Sequence, residues 1–242
     1  MQRTSINSHI HQIHPDRNNN KLTFIILAAG SNNTRGENIP KSLIRINSKL
    51  NVLDHQIQTI RKTHKDADII VVCGFEFDAM KQHIFKHENV RIVYNHNFLE
   101  TTSLESFRLG MNASIESNIF ALHSDCLFGS RTISMLDYNT PYIITGDMKK
   151  QHSRVGVSQQ NSLVVRLSYG LKREWSEMLY LPSSDFKKVR SSLDQYKAYH
   201  NLFEMINDLI NVLQIPFETH GDNQTNIIRV KENENINLSL LK

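Results

Sequence analysis

Cysteine is nearly absent from this chain. Cys73 and Cys126 are the only two in 242 residues, each closes an apolar run of strand type, and no CxxC spacing occurs. Neither a disulfide nor a structural zinc site is expected, and the setting that follows is reducing and cytoplasmic. Long hydrophobic runs are also missing: none exceeds strand length, and the polar N-terminus holds no secretory core, so neither a membrane span nor a leader is expected. Charge of one sign is lacking as well. Lys and Arg number 28 against 24 Asp and Glu, scattered without a block, which leaves an anionic small molecule and a nucleic acid equally open. No stretch rich in Pro, Gly or Ser marks a linker, and no internal repeat is visible.

The hydrophobic residues, 39% of the chain, come in short packets separated by amphipathic stretches. Residues 1–20 lack core periodicity and end in an asparagine run, so they read as a flexible tail whose His9, His11 and His14 are more simply solvated than metal-bound. Leu22 to Ala29 is one apolar run of strand length, and Asn51 to His64 then places Val52, Leu53, Ile57 and Ile60 on one helical face. The runs "DIIVVCG", "VRIVY" and "NIFALHS" each lead into a further amphipathic stretch. Repeated βα steps predict a parallel sheet covered by helices on both faces. Beyond Tyr142 come shorter β-like segments, two helices near 184–194 and 198–213, and a last strand near "NIIRV". These read as an extension of the same sheet, so residues 21–242 are expected to form a single domain.

In such folds ligands bind at the carboxyl ends of the strands. The first strand ends in Ala28-Ala29-Gly30 and runs into a polar stretch holding Arg35 and Lys41. Backbone N–H groups beside a glycine can face phosphate oxygens, since glycine admits close approach and positive φ. Arg35 and Lys41 would add charge able to follow negative charge as it develops on a phosphate. A plain strand-turn-helix connection with solvated basic side chains fits the same residues. Asp125, after an apolar strand, suits a metal ligand or a helix cap.

The stretch "LAAGSNNTRGENIPKSLI" resembles the signature loop of the nucleotidyltransferases that activate sugar phosphates and alcohol phosphates, L-A-[AG]-G-x-G-x-R followed by P-K-x-L. Leu27, Ala28, Ala29, Gly30, Arg35, Pro40, Lys41 and Leu43 match; "SNN" replaces the second glycine, and Arg35 comes one residue late. Further along, "VVCGFEFDAMKQHI" resembles the family's strand ending in Gly-Tyr, with Gly74-Phe75 in that place. "YNHNFLETTSLESF" is similar to a segment of the phosphocholine and phosphonate cytidylyltransferase branch, with Asn95, Phe98, Thr101 and Ser106 in register. "FALHSDCLF" resembles the strand ending in Gly-Asp, and "SYGLKREWSEMLYLPSSDF" the branch's stretch around Glu-Trp.

The resemblance implies a Rossmann-like three-layer α/β sandwich with a mixed, mostly parallel central sheet. It implies a Mg²⁺-dependent transfer of a nucleoside monophosphate, CMP in this branch, from a nucleoside triphosphate to a small phosphorylated acceptor such as phosphocholine, a phosphonate or a sugar phosphate. Neither nucleic acid nor a membrane is an expected partner. Arg35 and Lys41 would be catalytic. Leu27, Ala28, Ala29, Gly30, Ser31, Thr102, Ser103 and Ser106 would bind the nucleotide, and Asp125 would hold Mg²⁺. Lys172 and Trp175 are the acceptor-side candidates. The family's second metal carboxylate comes from a C-terminal segment, where this chain has Lys231, with Asp222 or Glu232 as substitutes. That departure keeps open a catalytically silent nucleotide binder of the same fold. A glycosyltransferase using a nucleotide sugar is a third reading, disfavoured because "SDC" offers a single carboxylate.

Overall fold

The structure, a computed structural model, describes residues 21–34, 37–134, 137–146, 154–197, 199–221 and 227–230, together with Leu238 and Leu241. The tail at 1–20 lies outside them. Strand β1 (Leu22–Ala28) is buried over its whole length and leads into an antiparallel hairpin, β2 (Ser31–Thr34) and β3 (Glu37–Pro40). A single 3-10 turn at Lys41–Leu43 precedes helix α1 (Val52–Thr63). Strand and helix then alternate through β4 (Asp68–Cys73), α2 (Phe77–Ile84), β5 (Val90–Tyr94), α3 (Ser103–Ala113) and β6 (Asn118–His123). Next come β7 (Cys126–Phe128), the short helix α4 (Ser130–Ser134), β8 (Tyr142–Gly146), β9 (Val155–Gln160), β10 (Leu163–Tyr169) and β11 (Arg173–Leu181). Helices α5 (Ser183–Ser192) and α6 (Leu202–Asn211) and the short strands β12 (Glu218–His220) and β13 (Ile227–Arg229) follow.

Among the described residues nine strands share one sheet, in the order β5-β4-β1-β6-β11-β8-β12-β10-β9. The first four are mutually parallel, and β11 enters antiparallel to both β6 and β8. Alternation along β1 sends Phe24, Ile26 and Ala28 to one face, against Leu53, Ile57 and Ile60 of α1 and Met80 and Ile84 of α2. Ile25 and Leu27 face the other way, into a cluster with Phe107 and Met111 of α3, Val189 of α5 and Met205 of α6. Each such side chain, fully buried, contributes about 1.5–3 kcal/mol, and together they close the three layers. Helix α1 starts where it does because the Asn51 side chain accepts the Asp54 N–H at 2.8 Å, while Arg61 and Lys62 favour its last turn.

The last strand forms near its predicted place but not in the main sheet. β13 pairs antiparallel with β7 as a separate ribbon, Arg229 opposite Cys126. A third apolar cluster of Ile44, Ile46, Val52, Leu127 and Val230 fastens that ribbon to the segment after the 3-10 turn. The cysteines are buried and unpaired, and no described helix is long and apolar enough to cross a membrane.

Gly110 sits where α3 crosses β1: a Cβ there would lie 2.4 Å from Cγ2 of the fully buried Ile25. Alanine gains about 1 kcal/mol of helix propensity, but overpacking a core costs about 1–3 kcal/mol. Gly110→Ala is therefore expected to destabilise the fold by up to about 2 kcal/mol net, seen as a lower unfolding midpoint in urea. A variant as stable as the parent would show that α3 can draw back from the sheet freely.

Candidate active site

A cavity of about 180 Å³ opens at the carboxyl ends of β1 and β6. That is below the roughly 300–1,000 Å³ of typical small-molecule clefts, so the enclosed part suits one portion of a ligand and the rest would lie on the open side. Leu27, Ala29 and Gly30 form one wall, Lys41 another, Thr102, Ser103 and Ser106 a third, and His123 and Asp125 a fourth. Sequence positions nearly a hundred residues apart thus converge where strand ends leave room.

The glycine wall works differently from the sequence expectation. Gly30 does not take a positive φ; a Cβ built there meets no atom within 4 Å, so its lack of a side chain leaves open space beside the cavity. Ala28 turns away into the α1-side core, and Ser31 begins β2 opposite Pro40. What reads as an open polar loop is a hairpin, its two strands paired from Ser31–Pro40 to Thr34–Glu37. Arg35 lies outside the described residues. Gly74 is needed for close approach, because a Cβ there would meet the Phe98 Cβ at 2.5 Å and the Ala29 carbonyl oxygen at 2.8 Å.

Asn95 organises the third wall. Buried to 2% exposure, it donates from Nδ2 to Thr101 Oγ1 at 3.0 Å and to Ser106 Oγ at 3.3 Å, and its Oδ1 accepts the Asn97 N–H at 3.1 Å. Thr102 is the N-cap of α3: its hydroxyl accepts the Leu104 N–H at 3.2 Å and donates to the His200 carbonyl. Ser103, the first residue of that helix, and Ser106 line the cavity, so the positive end of the α3 dipole adjoins it. Lys41 comes from the 3-10 turn, which is held by the buried Ser42, whose hydroxyl donates to Met80 Sδ at 3.2 Å.

The fourth wall carries a charge network. Arg229 donates from one terminal nitrogen to both Asp125 oxygens, at 3.1 and 3.3 Å, and from the other to Glu177 at 2.8 Å; Glu177 also meets His123 Nδ1 at 2.9 Å. Glu177 occupies a bulge. Trp175 and Met178 of β11 pair with the adjacent Thr145 and Ile144, leaving Ser176 and Glu177 extra, and Glu177 has φ 58°. Such bulges re-aim side chains near sites. Burial works to raise the Glu177 pKa, but His123 and Arg229 together hold it well below the usual carboxylate range. Two buried nitrogens here, His123 Nε2 and Arg229 Nε, have no partner among the described residues.

Ligand atoms of His123, Asp125 and Glu177 lie within 4.8 Å of one another. A Mg²⁺ ion bound with a nucleotide needs one or two carboxylates besides phosphate and water, which Asp125 and Glu177 can offer. The set therefore fits, with Arg229 as the charge that a metal would have to displace or share. The C-terminal ribbon supplies a cation to this corner; Asp222, Lys231 and Glu232 lie outside the described residues. Glu177 is the carboxylate that sequence reading missed. Its signal is the polar pair Ser176-Glu177 interrupting an otherwise apolar strand between Trp175 and Met178.

The acceptor-side candidates do not join the cavity. Trp175 is 3% exposed, packs in the core, and donates from Nε1 to the Met178 carbonyl at 3.0 Å, closing the bulge. With its faces packed and its N–H satisfied, it is not placed to stack on a ligand. Lys172 is exposed in the turn before β11 and does not line the cavity.

No family model matches the chain, and no curated relative matches its sequence. Solved structures match its shape. The inositol-1-phosphate CTP transferase of T. maritima superposes with a TM-score of 0.72 at 11% identity, over 91% of this chain and 93% of that one. The CTP:phosphocholine cytidylyltransferase of Streptococcus pneumoniae gives 0.68 at 17% identity, over 88% and 95%. A nucleoside-diphosphate-sugar pyrophosphorylase of Vibrio cholerae gives 0.64 at 11% identity, over 81% and 91%. The chain thus has the Rossmann-like fold of the nucleotidyltransferases, mixed sheet included, as the sequence resemblance implied.

The Glu177 network has a pH signature. A carboxylate whose pKa is depressed on folding stabilises above its unfolded value and loses that contribution as pH falls below it. Glu177→Gln is expected to destabilise by about 1–3 kcal/mol near neutrality, with the difference from the parent shrinking as pH falls below roughly 4. Thermal melts from pH 7 to 3 check this, and a pH-independent difference would remove Glu177's charge from the account.

Proposed function

We propose that this protein is a nucleotidyltransferase that moves a nucleoside monophosphate, CMP in our reading, from a triphosphate to a small phosphorylated acceptor and releases pyrophosphate. The observation that carries the proposal is the convergence of Lys41, the α3 N-terminus and Asp125 on one cavity at the carboxyl end of β1. Two of the compared structures are named for CTP, which supports the choice of base. Phosphocholine, a phosphonate or a sugar phosphate is the acceptor class.

In this reading an acceptor phosphate oxygen attacks the α-phosphorus in line. The new P–O bond forms as the bond to the β-phosphate oxygen breaks, and its electron pair leaves with pyrophosphate. No protein nucleophile is needed, so the residues act by positioning and by offsetting charge. Lys41 would stand against the charge gathering at the α-phosphate, and Arg35 against the leaving phosphates. Ser103 and Ser106 would hold the nucleoside, with Asn95 fixing the loop that presents them. Mg²⁺, held by Asp125 with Glu177, would supply charge neutralisation across the phosphates.

The Arg229 ion pair favours a second reading, a nucleotide binder in which a tethered guanidinium permanently neutralises Asp125. Pyrophosphate release separates the two. With each of four ribonucleoside triphosphates, Mg²⁺ and a pool of phosphocholine, aminoethylphosphonate and sugar 1-phosphates, the transferase turns over with one preferred base. Lys41→Ala and Asp125→Ala are expected to lose about 10²-fold or more while remaining folded, as for removal of a charge-stabilising group. Nucleotide binding by calorimetry without turnover would establish the second reading.

Arg229 also sets an expectation for the metal. Arg229→Gln frees Asp125 and leaves Glu177 with His123 alone, so the Mg²⁺ concentration for half-maximal turnover should fall several-fold. An unchanged requirement would take the Asp125 and Glu177 pair out of the metal's ligand set.

A further inference from the structure

A second cluster lies outside the cavity, between α1 and the end of α2. His83 and His87 are four residues apart, and the chain keeps turning helically past Ile84, with the His87 N–H donating to the Ile84 carbonyl at 2.8 Å. That spacing puts both rings on one side, where Nε2 of His83 and Nε2 of His87 reach the same oxygen, Asp54 Oδ1, at 2.8 and 2.7 Å. The three side chains are 15–18% exposed, shielded yet reachable by solvent.

The contacts of His83 cannot all be hydrogen bonds at once. Asn51 Nδ2 lies 3.0 Å from His83 Nε2, and the Asn51 amide cannot be turned over, because its oxygen accepts the Asp54 N–H at 2.8 Å as the helix cap. An amide nitrogen only donates, so a hydrogen bond from Asn51 requires His83 Nε2 to accept, whereas one to Asp54 requires it to donate, and the same nitrogen cannot do both. A metal on the His83 lone pair would replace the Asn51 contact and join both imidazoles to the carboxylate.

We propose that Asp54, His83 and His87 form a binding site for a divalent transition-metal ion of the zinc class, with solvent as the fourth ligand. Two imidazole nitrogens and one carboxylate oxygen suit zinc; magnesium and calcium prefer oxygen alone. Metal–ligand distances of about 2.0–2.2 Å in a tetrahedron require the three atoms to open by about half an ångström, a small rotamer adjustment for histidines at a helix end. The sequence reading, which looked to cysteines, expects no structural zinc; this site uses none. Its place gives it a role. The 3-10 turn carrying Lys41 touches α2 through Ser42 and Met80, and the Val52 N–H at the start of α1 donates to the Ile44 carbonyl at 3.1 Å. A metal joining α1 to α2 would clamp the two elements that seat that turn.

The test is calorimetric titration of the chelator-treated full chain with zinc chloride, alongside thermal melts. One equivalent should bind through this site, and zinc at a hundredfold excess over its Kd should raise Tm by about 5–10 °C. His83→Gln and His87→Gln should each abolish that shift; His87 touches only the Asp54 carboxylate and not the N-cap Asn51, so its variant disturbs the start of α1 less. Glu177→Gln and a His9, His11, His14 triple glutamine variant should retain it. The proposal is overturned if zinc gives no shift, if His83→Gln and His87→Gln keep it, or if it disappears only with Glu177→Gln or the triple variant.

Discussion

A strand buried on both faces determines where this molecule can bind anything. β1 offers no side chain to solvent along its length, so all it can present to a ligand is its end. Every wall of the cavity is placed by what covers or neighbours that strand. The helices against Ile25 and Leu27 put the α3 N-terminus beside Gly30, β4 brings Gly74 under Ala29, and β6 carries His123 to its tip. The small cluster around Ile44, Leu127 and Val230 then ties the segment following the Lys41 turn to the ribbon bearing Arg229. Apolar packing on three fronts thus sets the spacing of charges that never touch the core.

Electrostatically the site is a balance between one tethered cation and two carboxylates. Arg229 and Asp125 are 104 residues apart in sequence and meet because β13 folds back on β7. A guanidinium there preorganises the carboxylates without a metal, at the expense of their readiness to bind one. The electron-rich triphosphate would tip this balance, since it attracts the guanidinium and the metal alike. On the proposed reading, a nucleotide would therefore reorganise this corner without any large movement of the sheet.

Periodicity made the βα half legible, since apolar runs such as Leu22–Ala28 and Ile69–Cys73 are what strands buried on both faces require. It could not reveal the β2–β3 hairpin, whose polar "SNNT" and "ENIP" lack any apolar alternation and pair only through the backbone. Nor could it assign β13 to β7, because sheet partnership of a three-residue strand is a tertiary matter. Lys41 and Asp125 stood out because strand ends and a Pro-Lys pair are local signals. Glu177 did not, since its value comes from a left-handed backbone that side-chain pattern does not encode. Trp175 misled in the opposite direction: an aromatic face suits a cationic acceptor, yet this ring packs within the core, with Ser176 buried beside it.

The bulge in β11 has a bearing on how such a chain can vary in length. Three steps along β11, from Trp175 to Met178, correspond to one step along β8, so the excess is two residues. An even excess preserves inside-outside parity: Met178 and Tyr180 face the α1 side and Leu179 and Leu181 the α3 side, as they would in an unbroken ladder. Losing one of the pair would leave a single-residue bulge, which keeps the strand's remainder facing the core only through a different local bend and twist. Losing both would leave the sheet in register and remove the carboxylate together with the buried Ser176 hydroxyl that donates to the Ile144 carbonyl at 2.7 Å. The residues that give this corner its second negative charge therefore form a dipeptide cassette on which the register of the sheet does not depend.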